Sequence, residues 1–198
     1  MITTVRKTFV GFGLVAAVSV CGAAQAQQAS ISYDYVEAGV TKGEILNEDF
    51  TGYGIGASFS INDYLFAQGS FSSGSSDDKF LGDKIDLDGF SFGLGYHRSI
   101  GAKTDLVASA NYINQEVDFL AFNEDANGYG LELGIRSLIT SNAEFEAKVN
   151  YVDGSDFDGE FGFEANVKLL LTPKFAVTLG YADGDDTKGV TAGLRFNF

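Results

Sequence analysis

The residue pair with the clearest chemical potential is His97 and Ser99, since His97 is the only histidine of the chain. Their spacing puts both side chains on one face if the segment is a β-strand. A serine hydroxyl becomes a nucleophile when a base takes its proton and a third group orients that base. The topology derived below places the pair at the short-turn end of its strand, far from the long acidic loops. We therefore expect no catalytic residues and no enzyme.

The acidic segment Asp153–Glu160, which reads DGSDFDGE, is a second candidate. Clustered carboxylates supply the hard oxygen ligands that Ca²⁺ prefers. The segment lacks the full twelve-residue calcium-loop pattern. A solvated, self-repelling loop is therefore the main interpretation, and a weak divalent-cation site is the alternative. We assign no metal site and no cofactor.

Several charged residues lie inside otherwise apolar segments, each on the parity opposite to the apolar parity of its own strand. They are Glu132, Arg136, Glu146, Lys148, Glu164, Lys168 and Arg195. Residues of one parity line one face of a strand, so these side chains can pair as ions across neighbouring strands. If the sheet closes, the main interpretation is that they fill and rigidify a narrow lumen. The alternative is a small gated pore.

The elements that position these residues are segments in which apolar and polar residues alternate, as expected of strands. The predicted strands are 30–40, 50–61, 64–73, 88–99, 104–116, 127–140, 143–153, 159–172, 174–183 and 188–198. Short turns alternate with longer acidic loops, which is typical of outer-membrane barrels with the short turns in the periplasm. We predict an all-β fold, a transmembrane up-and-down antiparallel β-barrel of ten strands, with eight strands as the alternative.

The first predicted strand is the least regular of the ten. Ile31, Tyr33 and Tyr35 share a parity that Glu37 breaks. We expect a bulge there or an early exit from the apolar band.

Alternation alone does not decide which face points outward, because soluble barrels place their apolar face inside. Glycine mixed with long charged side chains suits a packed polar interior, and aromatic residues gather at the strand ends as in membrane barrels. The chain also finishes on alternating apolar residues, Leu194, Phe196 and Phe198. This ending resembles the closing strand that the barrel-insertion machinery reads, so we predict that these three residues form an insertion signal.

The amino-terminal segment indicates export. Arg6 and Lys7 precede an apolar run and the ending Ala24-Gln25-Ala26, a pattern that predicts a cleaved secretory signal peptide over 1–26 and a barrel over 27–198. Lipoprotein processing at Cys21 is the alternative. After cleavage behind Ala26 the mature chain would lack cysteine, so no disulfide is expected. The net charge of −14 argues against a nucleic-acid partner.

A family resemblance covers most of the mature chain. The motifs that carry it are Tyr33–Glu37, Asp88–Phe90, Gly93–Tyr96, Asp105–Ala108, Gly128–Arg136 (GYGLELGIR), Ala182–Asp185 and Gly193–Phe196. In these the chain resembles a xanthomonad-type family of small outer-membrane barrels regulated by diffusible signal factor. One member of that family was proposed as an immunity-activating, quorum-sensing signal. The resemblance implies location and fold, and it supplies no catalytic residues.

We therefore expect a protein of the Gram-negative outer membrane, exported through the periplasm, with a structural or surface-interaction role. A link to signalling or biofilm behaviour is part of this expectation. One alternative is a small passive pore for ions or small solutes. Another is a lipid-modifying enzyme, because the His97–Ser99 spacing is similar to that of outer-membrane lipid-A deacylases. Expected partners are outer-membrane lipid, lipopolysaccharide and the barrel-insertion machinery, and the oligomeric state is left open.

Overall fold

The computed structural model describes residues 31–45, 48–79, 84–119, 122–154, 159–185 and 187–198. The predicted signal peptide over 1–26 lies outside these residues. In the described part of the chain, no helix is long and apolar enough to cross a membrane. The strands within it are β1 (Tyr35–Ile45), β2 (Glu48–Ser60), β3 (Leu65–Ser76), β4 (Asp86–Gly101), β5 (Thr104–Phe119), β6 (Phe122–Leu138), β7 (Ala143–Gly154), β8 (Glu160–Leu170), β9 (Phe175–Gly184) and β10 (Thr187–Asn197).

The ten strands form one closed antiparallel barrel. Each strand pairs with its neighbours in sequence, and β10 closes the sheet by pairing with β1 from Tyr35↔Asn197 to Ile45↔Thr187. Closure leaves no strand edge unpaired, which a sheet surrounded by lipid requires because nothing there could hydrogen-bond a free edge. The ten-strand prediction is confirmed, and the eight-strand alternative is wrong.

The two ends of the barrel differ in their connections. We call the end that holds residues 61–64, 102–103, 139–142 and 171–174 the turn rim, and the opposite end the loop rim. The first of these turns is tight: the Ile61 amide donates to the Leu65 carbonyl at 2.7 Å. The side chain of Asn62 accepts from the amides of Tyr64 and Leu65 at 2.9 and 3.0 Å. An asparagine that bonds the backbone two residues on is a common turn device.

The first strand differs from its prediction in position and regularity. It begins at Tyr35 rather than residue 30, and it pairs in regular register with both β2 and β10. The expected bulge at Glu37 is therefore wrong. Glu37 does not break an apolar parity, because the odd residues of β1 face the lumen while Val36 and Val40 face outward. Among the described pairings, the register shifts between Ser99 and Gly101 of β4 instead.

Strands also extend further at the loop rim than predicted. Residues 117–119 and 122–126, which belong to a segment predicted as an acidic loop, continue the β5–β6 ladder with Val117 opposite Glu124. The segment 74–87 likewise contributes the end of β3 and the start of β4. Backbone pairing can continue in water without an apolar face, so the period-two hydrophobic pattern ends before the strand does.

The apolar parity faces outward on β2 to β10, as predicted, whereas on β1 the parity of Tyr33 and Tyr35 faces the lumen. Tyr53, Leu94 and Phe161 are 59%, 60% and 68% exposed, whereas Arg136 and Lys168 on the opposite parity are only 4% and 3% exposed. Such an arrangement is unfavourable in water and favourable in lipid, where long charged side chains belong on the inner face.

Candidate functional site

The seven predicted lumen residues all point into the barrel, and the structure divides them into two groups. Glu132, Lys148 and Glu164 form one group at mid-height. Arg136, Glu146, Lys168 and Arg195 belong to the other group, which lies close to the turn rim. Sequence parity therefore predicted the inner face correctly.

The mid-height group is a triplet around one lysine. The Lys148 ammonium lies 3.1 Å from carboxylate oxygens of both Glu132 and Glu164. Ser109 donates to Glu132 at 2.7 Å, and the Asn166 amide donates to Glu164 at 2.7 Å. The carboxylates are thus satisfied by more than the lysine, as charges withdrawn from bulk water require.

The group near the turn rim is a network of two neighbouring sets of ion pairs, which we call the ion-pair half of the lumen floor. It consists of Glu37, Arg136, Glu144, Glu146, Lys168 and Arg195. Glu144 accepts from Arg136 Nε at 2.8 Å and from Lys168 Nζ at 3.0 Å. Lys168 also pairs with Glu146, and Arg195 Nε donates to Glu37 at 2.9 Å. Three acids face three bases, so the network is balanced.

Sequence reasoning missed two members of this network, Glu37 and Glu144. Glu144 shares the parity of Glu146 and lies two residues before it, so extending that parity toward the turn could have found it. Glu37 is found only through barrel closure, because its partner Arg195 lies directly opposite it across the β1–β10 pair.

The other half of the floor is closed by a short segment that precedes β1. We call Ser32–Asp34 the strap. We call the part of the lumen floor in which Tyr33 contacts Phe66, His97 and Asp105 the strap half. The Tyr33 ring stacks on the His97 ring with centroids 3.8 Å apart and lies 5.0 Å from Phe66. Its hydroxyl donates to Asp105 at 3.1 Å.

Tyr33 is closely packed although no strand holds it. Its side chain is 5% exposed, and the Arg136 guanidinium covers its ring at 4.5 Å from the centroid. Burial raises the pKa of the Tyr33 phenol well above its ordinary value, so the phenol remains a neutral hydrogen-bond donor. The sequence analysis did not identify Tyr33, because it assigned Tyr33 to an outward parity.

A glycine makes room for the aromatic residues of the strap half. A Cβ on Gly95 would lie 2.0 Å from the ring of Phe66. Phe66 can therefore lie flat across β4 only because residue 95 has no side chain.

The pair His97 and Ser99 faces the strap half. Ser99 donates its hydroxyl proton to Asp105 at 2.8 Å, and His97 Nδ1 lies 3.6 Å from the other oxygen of Asp105. A general base must lie within hydrogen-bond reach of the proton it takes, but this hydroxyl points at the carboxylate and not at His97. The geometry gives the pair a packing role in the floor.

A cavity of about 240 Å³ lies in the lumen and has the floor as one of its walls. Tyr33, Arg136, Lys168 and Arg195 contribute floor residues to its lining. Amides and hydroxyls dominate the rest of the wall: Gln68, Ser70, Ser72, Ser91, Ser109, Asn111, Asn114, Gln115, Asn150, Asn166, Thr178 and Thr191. Toward the loop rim the inner face becomes apolar, with Ile45 packed on Phe50 and Ala126 on Val152.

Charge at the loop rim is exposed rather than buried. Asp77 follows β3 and accepts from the Thr51 hydroxyl at 2.8 Å and from the Lys42 ammonium at 3.1 Å. These hydrogen bonds lower the pKa of the Asp77 carboxyl. Within the described residues, no three His, Cys, Asp or Glu side chains are grouped so that they could hold a metal ion. Residues 155–158 of the acidic segment DGSDFDGE lie outside that set.

The predicted insertion signal lies on the outer surface at the turn rim. The ring of Phe196 packs against Phe175 with centroids 4.9 Å apart, and Phe198 lies 5.5 Å from Phe59. Leu194 is on the same outward parity. Their recognition by the insertion machinery stays a prediction.

The family comparison gives a match over nearly the whole chain. The family model for the outer membrane protein beta-barrel domain matches residues 12–198. No curated protein matches the chain.

The chain is also similar to several solved barrels. One is the KdgM porin in complex with disordered oligogalacturonate, with 10% identity over 85% of this chain and 87% of that chain and a TM-score of 0.45. Another is the N-terminal β-barrel domain of Pseudomonas aeruginosa OprF, with 17% identity over 83% and 98% and a TM-score of 0.43. A third is Ail, the attachment invasion locus protein of Yersinia pestis, with 15% identity over 82% and 97% and a TM-score of 0.41.

Proposed function

The chain belongs to the outer membrane protein β-barrel domain family and lies in the outer membrane, and from this premise we propose that it is a structural and surface-interaction protein whose lumen is closed at rest. The observation that carries the proposal is the double closure of the floor by the ion-pair half and the strap half. With the lumen closed, the parts available to partners are the outer face, which contacts lipid, and the loop rim.

The finer part of the proposal is that the acidic loop rim takes part in attachment, biofilm behaviour or signalling between cells. The support is the distribution of charge: Glu37, Glu144 and Glu146 in the lumen floor are each paired with a base, whereas the loop rim holds exposed acids such as Asp77 and Asp183. We propose no enzymatic activity, and we propose outer-membrane lipid, lipopolysaccharide and the insertion machinery as partners.

A deletion strain tests this role. We expect the strain to attach less to surfaces, and we expect the native gene to restore attachment. A gene in which Asp77, Asp78 and Lys79 are replaced by Gly-Ser-Gly should restore barrel assembly but not attachment. The Arg195→Ala gene, altered only in the lumen, is the matched control and should restore both. Unchanged attachment in the deletion strain would contradict the surface role.

The polar cavity favours a second candidate function, which is a small passive pore for ions or small solutes. A wall of amides and hydroxyls can replace part of the hydration shell of a solute. On this proposal the ion-pair network is the barrier, so Arg195→Ala in planar bilayers should produce conductance steps where the native protein is quiet. Lys188→Ala, which removes an exposed rim cation, is the control. Equal, negligible conductance in all three proteins would argue against the pore.

A further inference from the structure

The two halves of the floor are held in different ways. Every side chain of the ion-pair half belongs to a strand of the barrel wall, so opening that half means breaking buried ion pairs or deforming the sheet. Tyr33 belongs to the strap, which lies before β1 and has no place in the strand ladder. It can leave the lumen without any change in strand register.

Apart from the packing of the Tyr33 ring, the strap is held by a few hydrogen bonds. Asp34 accepts from the amide and the hydroxyl of Ser60 at 2.7 and 2.9 Å, and these bonds lie at the exposed turn rim. The Ser32 carbonyl accepts from Arg136 Nη2 at 3.0 Å, and the Phe198 amide donates to the Asp34 carbonyl at 3.2 Å. Exposed hydrogen bonds contribute little net free energy each, because water can take the place of either partner.

The strap separates the lumen cavity from the turn rim. Gly56 and Gly95 face the lumen on β2 and β4, and the ring of Phe66 takes the space that a side chain at Gly95 would need. Tyr33 and Phe66 both line the cavity of about 240 Å³. Removal of the Tyr33 ring from this position would extend the polar cavity toward the turn rim.

We propose that the strap is a gate for the lumen, with Tyr33 as the plug. When Tyr33 is seated between His97 and Arg136, the cavity ends at the floor. When the strap swings out, the cavity continues past Asp105 to the turn rim and lets small hydrated ions pass. This inference rests on the proposed closed lumen and adds the means by which it opens.

A reversible crosslink between strap and wall tests the gate. Asp34→Cys with Ser60→Cys removes both anchoring hydrogen bonds and places two thiols where the side chains now meet. The variant is bridged with a cleavable bis-thiosulfonate reagent, reconstituted in planar bilayers in potassium chloride, and then treated with reductant. Because residues 31–198 contain no other cysteine, the bridge can form only at this site in the described barrel. Folding is checked by the change in gel mobility on heating.

The gate predicts a quiet bridged protein and at least a tenfold rise in open time after reduction. Tyr33→Ala, measured without any bridge, should conduct in the same way, and Tyr33→Phe, which keeps the ring, should conduct much less. A folded variant that is quiet both before and after reduction overturns the gate and leaves the closed lumen standing. Steady conductance of the bridged protein contradicts the closed lumen itself.

Discussion

The ion-pair half and the strap half close the same lumen by opposite physical means. The ion-pair half uses buried charges fixed to five strands of the wall, so each group has little freedom and a high cost of exposure. The strap half uses one aromatic side chain from a segment outside the sheet, packed on rings and held by hydrogen bonds at the rim. The comparison teaches that a barrel can combine a rigid barrier of ion pairs with a removable aromatic barrier at the same height along its axis.

The largest loss of stability is expected for a substitution at the centre of the ion-pair half. Glu144→Gln removes the carboxylate shared by Arg136 and Lys168, and removal of one partner of a buried ion pair costs about 3 to 5 kcal/mol. We expect the urea midpoint of unfolding, followed by gel mobility, to fall sharply.

Glu44→Gln is the matched control for that variant. Glu44 pairs with Lys188 at 3.0 Å on the exposed rim, and such pairs contribute under about 1 kcal/mol. Equal losses of stability in Glu144→Gln and Glu44→Gln would mean that the ion-pair half is hydrated like the surface. The distinction between the two halves of the floor would then fail.

A smaller effect is expected in the strap half. Gly95→Ala would place a methyl group 2.0 Å from the ring of Phe66, which is itself buried. Overpacking of this kind costs about 1 to 3 kcal/mol. Unfolding midpoints would be compared with those of Gly101→Ala, where no atom lies within 4 Å of the added Cβ. A Gly95→Ala barrel as stable as the Gly101→Ala barrel would show that Phe66 moves freely and that the strap half is loosely packed.

The smallest change in stability is expected for the exposed charges of the loop rim. These charges serve as a reference for the variants in both halves of the floor. Because hydrogen bonds lower the pKa of Asp77 in the folded protein, its contribution to stability is present above the unfolded pKa and is lost as pH falls through the folded pKa. The melting temperature of native protein should slightly exceed that of Asp77→Asn at about pH 6, and the difference should shrink as the pH falls below the ordinary carboxyl value of 3.8. A difference that grows with acid would reverse the sign of this linkage.

The barrel could be predicted from the sequence because lipid imposes a simple rule: the outward side chains of each strand must be apolar. Alternation is visible wherever one face meets acyl chains, so the strand number and the outward face of β2 to β10 followed from parity. The rule fails beyond the apolar band, where residues 117–119 and 122–126 are paired although their composition resembles that of a loop.

The rule also fails for Tyr33, and the reason is physical. Its position depends on four contacts with β3, β4, β5 and β6, none of which is local in sequence. An aromatic residue near the start of a strand gives the same sequence pattern whether its side chain lies in a membrane interface or turns back into a lumen. Only the position of the first strand, five residues later than predicted, distinguishes the two.

The β1–β10 pairing has a consequence for the order of assembly. It joins residues such as Thr41 and Thr191, which are 150 positions apart and whose hydroxyls lie 2.9 Å from each other. Contacts this distant in sequence form late, because the loop they close is entropically expensive. The bond from Phe198 to Asp34 crosses the same seam, so this one anchor of the strap is added only after the ring of strands has shut, whereas the anchors on β2 and β6 do not wait for it.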